Sequence, residues 1–451
     1  MNKLNALKKK KFFSASRIII LGFAAVIAVG TALLMLPFSS ADNSAASFSD
    51  ALFTSVSATC VTGLIVRDTA TGWSLFGQAV ILAMIQIGGM GIVTIAVFLT
   101  RLSGRKIGIM QRTTMQEAVS APQVGGIVKL TGFIIKTSVC IELIGAIALS
   151  SVFIKDFGVG KGIWYSVFHS VSAFCNAGFD LMGAREPFSS LTFYSGNVFV
   201  NIVIMLLIIT GGIGFLTWDD IKSHGVHFKK YRMQSKVVLL MTVFLLFIPA
   251  VYFYFAELSS SAFHDMTAVQ KILASLFQSA TARTAGFNTI DFNMLSEAGR
   301  LLLIMLMLIG GCSGSTAGGM KTTTVAVLFA SAAAVFRRKQ HAQLHGRRIE
   351  DETVKIASAV FFMYLTLFSV SAMVISLVDR LPLLTCLFET ASAIATVGVT
   401  MGITPALSLA SKIILMCLMF FGRVGGLTLI YAALSKHANV SRLPSEKIMV
   451  G

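Results

Sequence analysis

The sequence predicts an all-α polytopic membrane protein built from four related units. Of its 451 residues, 55% are hydrophobic and only 13% charged, against about 25% charged in a typical soluble domain. Several apolar runs reach the roughly 20 residues with which a helix crosses a bilayer. One short motif also occurs four times at a nearly constant period, the mark of repeated units. The alternating ten-residue segments of a transmembrane barrel do not occur in the sequence.

The four copies read Ser57-Ala58-Thr59-Cys60-Val61-Thr62-Gly63, Ser172-Ala173-Phe174-Cys175-Asn176-Ala177-Gly178, Thr281-Ala282-Arg283-Thr284-Ala285-Gly286 and Ser392-Ala393-Ile394-Ala395-Thr396-Val397-Gly398. Their final glycines are 115, 108 and 112 residues apart. Each copy follows a short apolar segment carrying a phenylalanine: Phe53, Phe168, Phe277 and Phe388. The units are expected at residues 18–101, 102–222, 223–340 and 341–435, between basic tails 1–17 and 436–451. In each, the order is span, half-span, loop, span. The first unit pairs spans Ile18–Pro37 and Ser74–Leu99 around the half-span Ala51–Ala58. The second pairs Gly132–Ile154 and Gly196–Trp218 around Ile163–Phe174. The third has Val237–Phe255, the half-span Lys271–Ala282 and a second span from Ala298. The fourth pairs Val354–Val378 and Ala406–Leu434 around Leu383–Ile394. This gives eight crossings and four re-entrant half-helices. The first apolar run lacks a small-residue cleavage site and belongs to the first repeat, so it reads as a helix rather than a signal peptide.

Non-helical backbone at membrane depth is tolerated only where it is buried in protein or lines a wet cavity. Four loops meeting around a pseudo-fourfold pore satisfy that condition. Glycine reaches positive φ cheaply and lets an ion approach the backbone, and a ring of carbonyls can replace the water around a cation. The candidate ion-binding positions are therefore Val61, Thr62 and Gly63; Asn176, Ala177 and Gly178; Thr284, Ala285 and Gly286; and Thr396, Val397 and Gly398.

The second spans carry a further motif: Gly88-Gly89-Met90-Gly91, Gly211-Gly212-Ile213-Gly214, Gly310-Gly311-Cys312-Ser313 and Gly422-Arg423-Val424-Gly425. Arg423 aligns with Gly89, Gly212 and Gly311. A guanidinium at that depth is expensive and usually functional. Two readings stand side by side: a barrier under the loops, or an ion pair with Glu389 or Glu142. The third copy runs on into Gly314, Gly318, Gly319, Met320 and Lys321. No continuous helix is expected there. It reads either as a flexible plug or as a kink for close helix packing.

The formal net charge is +17, but its distribution argues against nucleic acid. Basic residues gather before the first span (Lys3, Lys8, Lys9, Lys10, Lys11, Arg17) and after each unit (Arg101, Arg105, Lys106 and Arg112; Lys222, Lys229, Lys230, Arg232 and Lys236; Arg337, Arg338, Lys339, Arg347 and Arg348; Lys436, Arg442 and Lys447). The eight-span topology puts all these segments on one side, which the positive-inside rule makes cytoplasmic, with both termini inside. Contact with anionic membrane lipid follows from the same charge.

Smaller signals remain open. Asp68, Asp180 and Asp291 follow their loop glycines and read as cation-concentrating carboxylates or as solvated loop residues. Arg283 is expected to brace the third loop's backbone. Thr54, His169, Gln278 and Glu389 follow the half-span phenylalanines and read as anchors for the loops. His341 and His345 read as part of a solvated basic loop. The six cysteines have no metal-ligand spacing and read as small buried hydrophobes. No strand-linked glycine loop for nucleotides, no triad spacing and no metal signature appears, so enzyme chemistry is disfavoured.

The loop contexts TCVTGL, CNAGFD, ARTAGFNT and ATVGVT, with GGCSGSTAGGMKTTT and FGRVGGLT, resemble the Trk/Ktr/HKT superfamily of potassium transporters along essentially the whole chain. Without two extra spans ahead of the first unit, the sequence is more similar to the Ktr membrane (pore) subunit. The resemblance implies that the four loops form a potassium selectivity filter, that residues 310–320 form an intramembrane gating loop and that Arg423 sits under the filter. It implies a homodimer with one pore per protomer, a cytoplasmic ring of nucleotide-binding regulatory subunits, and sodium as an activator. Plant relatives with serine at the first filter position are sodium-selective; Gly63 stands here, which favours potassium. No loop reads Thr-Val-Gly-Tyr-Gly, so selectivity is expected to be looser than in a dedicated potassium channel. The competing class is a secondary transporter of a small organic solute, where broken helices also occur; such transporters typically show two repeats rather than four.

Overall fold

The structure is a computed structural model that describes residues 15–103, 107–119, 125–426 and 428–429. Lys3, Lys8, Lys9, Lys10, Lys11, Arg105, Lys106, Lys436, Arg442 and Lys447 lie outside the described residues, as does the end of the expected last span near Leu434.

The described chain is mostly helical. The first unit comprises α1 (Ala15–Leu34), α2 (Phe48–Cys60), α3 (Leu75–Met90) and α4 (Ile92–Leu102), and α5 (Ile109–Val119) leads to the second. There follow α6 (Ile127–Phe157), α7 (Val159–Phe174), α8 (Val198–Ile213) and α9 (Phe215–His224). The third unit has α10 (Met233–Tyr252), α11 (Ala268–Thr281), α12 (Glu297–Leu308) and α13 (Thr322–Phe336). A small hairpin of β1 (Gln343–Leu344) and β2 (Arg347–Arg348) precedes α14 (Asp351–Asp379), α15 (Leu383–Ile394) and α16 (Leu409–Val424). The expected order of long helix, short helix, loop and further helix is thus present four times.

Local sequence explains where these helices begin. Ser74, Asn197, Ser296 and Ser408 cap α3, α8, α12 and α16. Their side-chain oxygens accept from the N–H groups of Gly77, Val200, Gly299 and Ser411 at 3.2, 3.1, 3.1 and 3.3 Å, satisfying donors that a helix start leaves unpaired. Thr267 and Gln270 form a capping box at α11. The short helices α2, α7, α11 and α15 are held by Phe53, Phe168, Phe277 and Phe388, all fully buried. Of the cysteines, Cys60, Cys175, Cys312 and Cys386 are buried, whereas Cys140 and Cys417 are exposed on their helices, contrary to the uniform burial expected.

Two spans expected to be continuous are broken. The helices of Ser74–Leu99 and Gly196–Trp218 each turn by 93°, at Gly91 (φ 85°) and Gly214 (φ 96°). Glycine takes that left-handed backbone at little cost, so the fourth position of the glycine motif ends the helix. Gly425 (φ 88°) ends α16 in the same way. In the third unit Ser313 occupies that position, and the interruption extends from α12 to α13. The break expected in one unit therefore occurs in all four. Among the described residues, four helices are long and apolar enough to cross a membrane (Ala15–Leu34, Ile127–Phe157, Met233–Glu257 and Asp351–Asp379), or up to six if each bent pair counts as one span. Beside the eight expected crossings, α12 has 12 residues and α16 has 16, and the end of the last expected span lies outside the described residues.

The loops beyond the ring glycines are tied together by Asp68, which is buried rather than solvated. One carboxylate oxygen accepts from the N–H of Ala70 at 3.0 Å and of Thr71 at 2.9 Å, and the other accepts from Phe188 N–H in the second unit at 3.0 Å. Asp180 and Asp291 accept locally from the N–H of Met182 and Asn293. Asp68→Ala strands those donors and is expected to lower stability by about 1–3 kcal/mol. Asp42→Ala, which removes an exposed pair with Arg67, should leave the melting temperature of the detergent-solubilised protein nearly unchanged.

Candidate functional site: a closed ring of four loops

The four motifs share one backbone conformation. Val61, Asn176, Thr284 and Thr396 have φ of 58°, 59°, 73° and 54°, and the glycines two residues later, Gly63, Gly178, Gly286 and Gly398, have φ of 95°, 69°, 86° and 96°. A left-handed valine or threonine is costly and persists only where its surroundings fix it.

Those surroundings are hydroxyl groups at the first residue of each motif. Ser57 and Ser392 accept from the N–H of Gly63 and Gly398 at 3.1 and 3.0 Å. Ser172 and Thr281 instead donate to the carbonyls of Phe179 and Phe287 at 2.7 and 2.5 Å. The carbonyls of the same four residues accept from Thr62, Ala177, Ala285 and Val397 at 2.8, 2.8, 2.9 and 2.8 Å. The sequence reading gave these hydroxyls no role, although a hydroxyl heads every copy of the motif. The expected anchors follow a similar pattern. Glu389 accepts from Met401 N–H at 3.1 Å and Thr404 Oγ1 at 3.0 Å, His169 Nε2 accepts from Leu181 N–H at 3.3 Å, and Gln278 Nε2 donates to Thr289 Oγ1 at 3.2 Å. Thr54 is buried with its hydroxyl unpaired.

The loops then meet in cyclic order. A Cβ built on Gly63 would lie 2.4 Å from the carbonyl oxygen of Ala177, and one on Gly178 would lie 2.9 Å from that of Ala285. One on Gly286 would lie 2.7 Å from the carbonyl oxygen of Val397, and one on Gly398 would lie 2.0 Å from that of Thr62. Each glycine thus faces the carbonyl preceding the next unit's glycine, and the fourth closes on the first. Of the twelve expected positions, the four glycines and the four residues before them are thus brought together.

A second layer packs against this ring. Gly88, Gly211 and Gly422, the first residues of three glycine motifs, leave room for the carbonyls of Thr59, Phe174 and Ile394. A Cβ at these glycines would stand 2.1, 1.9 and 2.0 Å from those oxygens. Gly310 departs from this pattern and faces Gly318 O, where a Cβ would stand 2.5 Å away.

The glycine-rich segment from Gly310 to Lys321 folds back on itself. Gly310 N–H donates to Met320 O at 2.8 Å, and Lys321 Nζ donates to Ala317 O at 2.8 Å and Gly318 O at 3.3 Å. Gly314 and Gly319 take φ of 69°. Gly311 and Gly318 are needed for close approach, to Ala317 Cβ and Thr396 Oγ1, each 2.2 Å from the built Cβ. The segment is tied to the other units: Thr316 N–H donates to Gly211 O at 3.3 Å, Thr316 Oγ1 to Phe174 O at 3.0 Å, and Gly319 N–H to Gly422 O at 3.3 Å.

Arg423 holds this assembly from the fourth unit. Its guanidinium donates to Thr316 O, to Gly88 O and, at 3.1 Å, to Gly89 O. It thereby bridges the glycine-rich segment and the C-terminal end of α3, where a cation suits the helix dipole. Neither carboxylate considered as its partner reaches it: Glu142 accepts from Gln86 Nε2 at 2.9 and 3.0 Å, and Glu389 is taken by the fourth loop. Arg423, Gly89, Ala317 and Lys321 border a cavity of about 300 Å³. Arg283 also departs from expectation. It does not brace its own loop's backbone, but donates to Thr242 Oγ1 on α10 at 3.2 Å and to Cys312 Sγ at 3.7 Å. His341 lies 3.6 Å from Asp351, and His345 is exposed in the hairpin turn.

Apolar spans, two of them sharply bent, together with short helices that end in buried loops, define an integral membrane protein with several membrane-spanning helices. The TrkH pattern, described as cation transport protein, matches residues 5–443. The potassium/sodium uptake protein NtpJ of Enterococcus hirae is 41% identical over 450 residues, covering 98% of each chain. The Ktr system potassium uptake protein B of Bacillus subtilis is 38% identical, covering 97% of each chain, and that of Vibrio alginolyticus is 34% identical, covering 96% of this chain and 94% of its own. The crystal structure of the potassium transporter TrkH from Vibrio parahaemolyticus has the same fold, with a TM-score of 0.73, 22% identity, and coverage of 94% of this chain and 85% of the other. The chain belongs to the TrkH family of cation transport proteins and is not an enzyme.

Ser57→Ala or Ser392→Ala removes a hydroxyl from a buried glycine N–H. Each is expected to cost about 1–3 kcal/mol, read as a lower melting temperature. Ser44→Ala, in an exposed loop, should cost nothing measurable.

Proposed function

We propose that this chain is the potassium-conducting subunit of an uptake system. The observation that carries the reading is the cyclic approach of four glycines to four neighbouring carbonyls. Backbone oxygens converging at one level of a membrane protein offer a dehydrated monovalent cation a substitute for its water shell. Potassium is the transported ion, as the names of the relatives support, and sodium serves as an activator or a weaker competitor. The membrane potential supplies about 2.3 kcal/mol per charge per 100 mV, so inward movement needs no nucleotide at the pore.

The gate is the segment from Gly310 to Lys321 together with Arg423. Its closed form is held by the guanidinium bonds to Thr316 O, Gly88 O and Gly89 O. Opening withdraws the segment from under the ring. The four units surround one pseudo-fourfold pore in each protomer of a homodimer, and both termini face the cytoplasm. Two relatives named as Ktr-system proteins support a cytoplasmic ring of regulatory subunits as partner, to which control by nucleotide belongs.

Labelled rubidium uptake into liposomes tests the reading. Uptake competed by potassium is expected of the wild type, and counterflow of an organic solute in its place would overturn the proposal. Gly63→Ser is expected to weaken discrimination against sodium. The serine Cβ meets Ala177 O at 2.4 Å and forces the ring to shift. Unchanged selectivity would remove Gly63 from the filter.

Arg423→Ala is expected to raise rubidium flux by roughly 10–100-fold, the equivalent of one or two charged hydrogen bonds lost from the closed state. Thr316→Val should act in the same direction more weakly. A loss of flux with normal folding would overturn Arg423 as a barrier.

A further inference from the structure

We propose that the cleft between α10 and α13 is a binding site for one anionic phospholipid, and that its occupancy controls the glycine-rich gate. The cleft encloses about 560 Å³, within the range of small-molecule sites. One wall is Phe244 and Ile248 of α10, and the other is Ala330 and Ala333 of α13. The small side chains of α13 leave a trough beside the bulky ones of α10, the shape an acyl chain fills. Both walls belong to apolar helices, and Phe244, Ile248 and Phe329 are exposed, so the trough opens sideways to the surroundings of the membrane segment.

Its mouth is different in kind. Arg337, Lys339 and His345 border the end formed by the turn after α13 and the β1–β2 hairpin. Among the described residues, no carboxylate lines the cleft. Asp351, at the start of α14, is already engaged by Arg348 at 3.0 Å and His341 at 3.6 Å. A phosphate at the mouth meets cations without competition, while the amine of a zwitterionic headgroup finds no acidic partner. Basic pockets between membrane helices that recognise anionic headgroups are built on this charge pattern. Free phosphate accounts for the mouth but not for the apolar trough.

The two walls are tied to the proposed gate and ring, so the control half of the proposal rests on the transport reading above. α13 begins at Thr322, whose N–H donates to Gly311 O at 3.2 Å and whose Oγ1 donates to Cys312 Sγ at 3.3 Å. On α10, Thr242 Oγ1 accepts from Arg283 of the third loop at 3.2 Å. An acyl chain between α10 and α13 sets their separation, and with it the position of the anchored segment.

Native mass spectrometry of the full chain in mild detergent, with added phosphatidylglycerol or phosphatidylcholine, tests the site. One phosphatidylglycerol per chain should survive activation, and phosphatidylcholine should not. Arg337→Ala with Lys339→Ala should weaken retention roughly thirtyfold. Ala330→Trp, which fills the trough, should abolish it, whereas Leu365→Trp on the exposed face of α14 should not. Equal retention of both lipids, retention unaffected by either variant, or full displacement by inorganic phosphate would overturn the site. So would an oligomer that Ala330→Trp dissociates, since the cleft would then be an interface between copies. For control, rubidium flux of the wild type should be higher in phosphatidylglycerol liposomes than in phosphatidylcholine, with the difference lost in Ala330→Trp. Specific retention with lipid-independent flux would refute control and leave the site. Specific retention with no cation flux in any lipid would refute the transport reading instead.

Discussion

The structure depends on one constraint: four backbone loops must approach one another more closely than any side chain allows. Around the ring, every glycine stands where a Cβ would press within 3 Å of a neighbouring unit's carbonyl oxygen. Backbone at that depth has no bulk water to satisfy it, so each loop carries its own hydroxyl group to bond its N–H or carbonyl. The polar requirement and the steric requirement are met by the same short motif. That accounts for its recurrence in four copies that otherwise share little sequence.

The layer behind the ring repeats the device. Gly88, Gly211 and Gly422 let their helices lie directly against the ends of α2, α7 and α15. Small residues at helix contacts are the general means of close packing in membranes, where burial of apolar surface supplies no drive. The third unit breaks the pattern. Its glycine motif faces its own returning chain, and the extra residues reach across to the second and fourth units. One arginine, Arg423, has no carboxylate partner among the described residues and donates to carbonyls of two units. A group held only by backbone carbonyls is released by a small displacement of either partner, which suits a bistable element.

Much of this was legible in the chain. The four motifs, the phenylalanines of the half-spans and the unusual third span are all patterns of spacing, and spacing survives without coordinates. The 93° turns at Gly91 and Gly214 were not read, because a glycine inside an apolar run is equally compatible with a straight helix. The partners of Arg423 and Arg283 were not legible either. Their acceptors, Thr316 O, Gly88 O and Thr242 Oγ1, are up to hundreds of residues away and are mostly backbone atoms, which carry no residue-type signal.

By itself, the sequence determined a helical membrane protein of four similar units, each with a loop ending in glycine, since apolar length and repeat period can be read directly along the chain. The tertiary structure alone decided that the loops close in cyclic order, that the glycine-rich segment lies across the second and fourth units, and that Arg423 binds carbonyls instead of a carboxylate. The physical reason is that these are contacts between distant backbones, selected by which surfaces fit when the whole chain is packed.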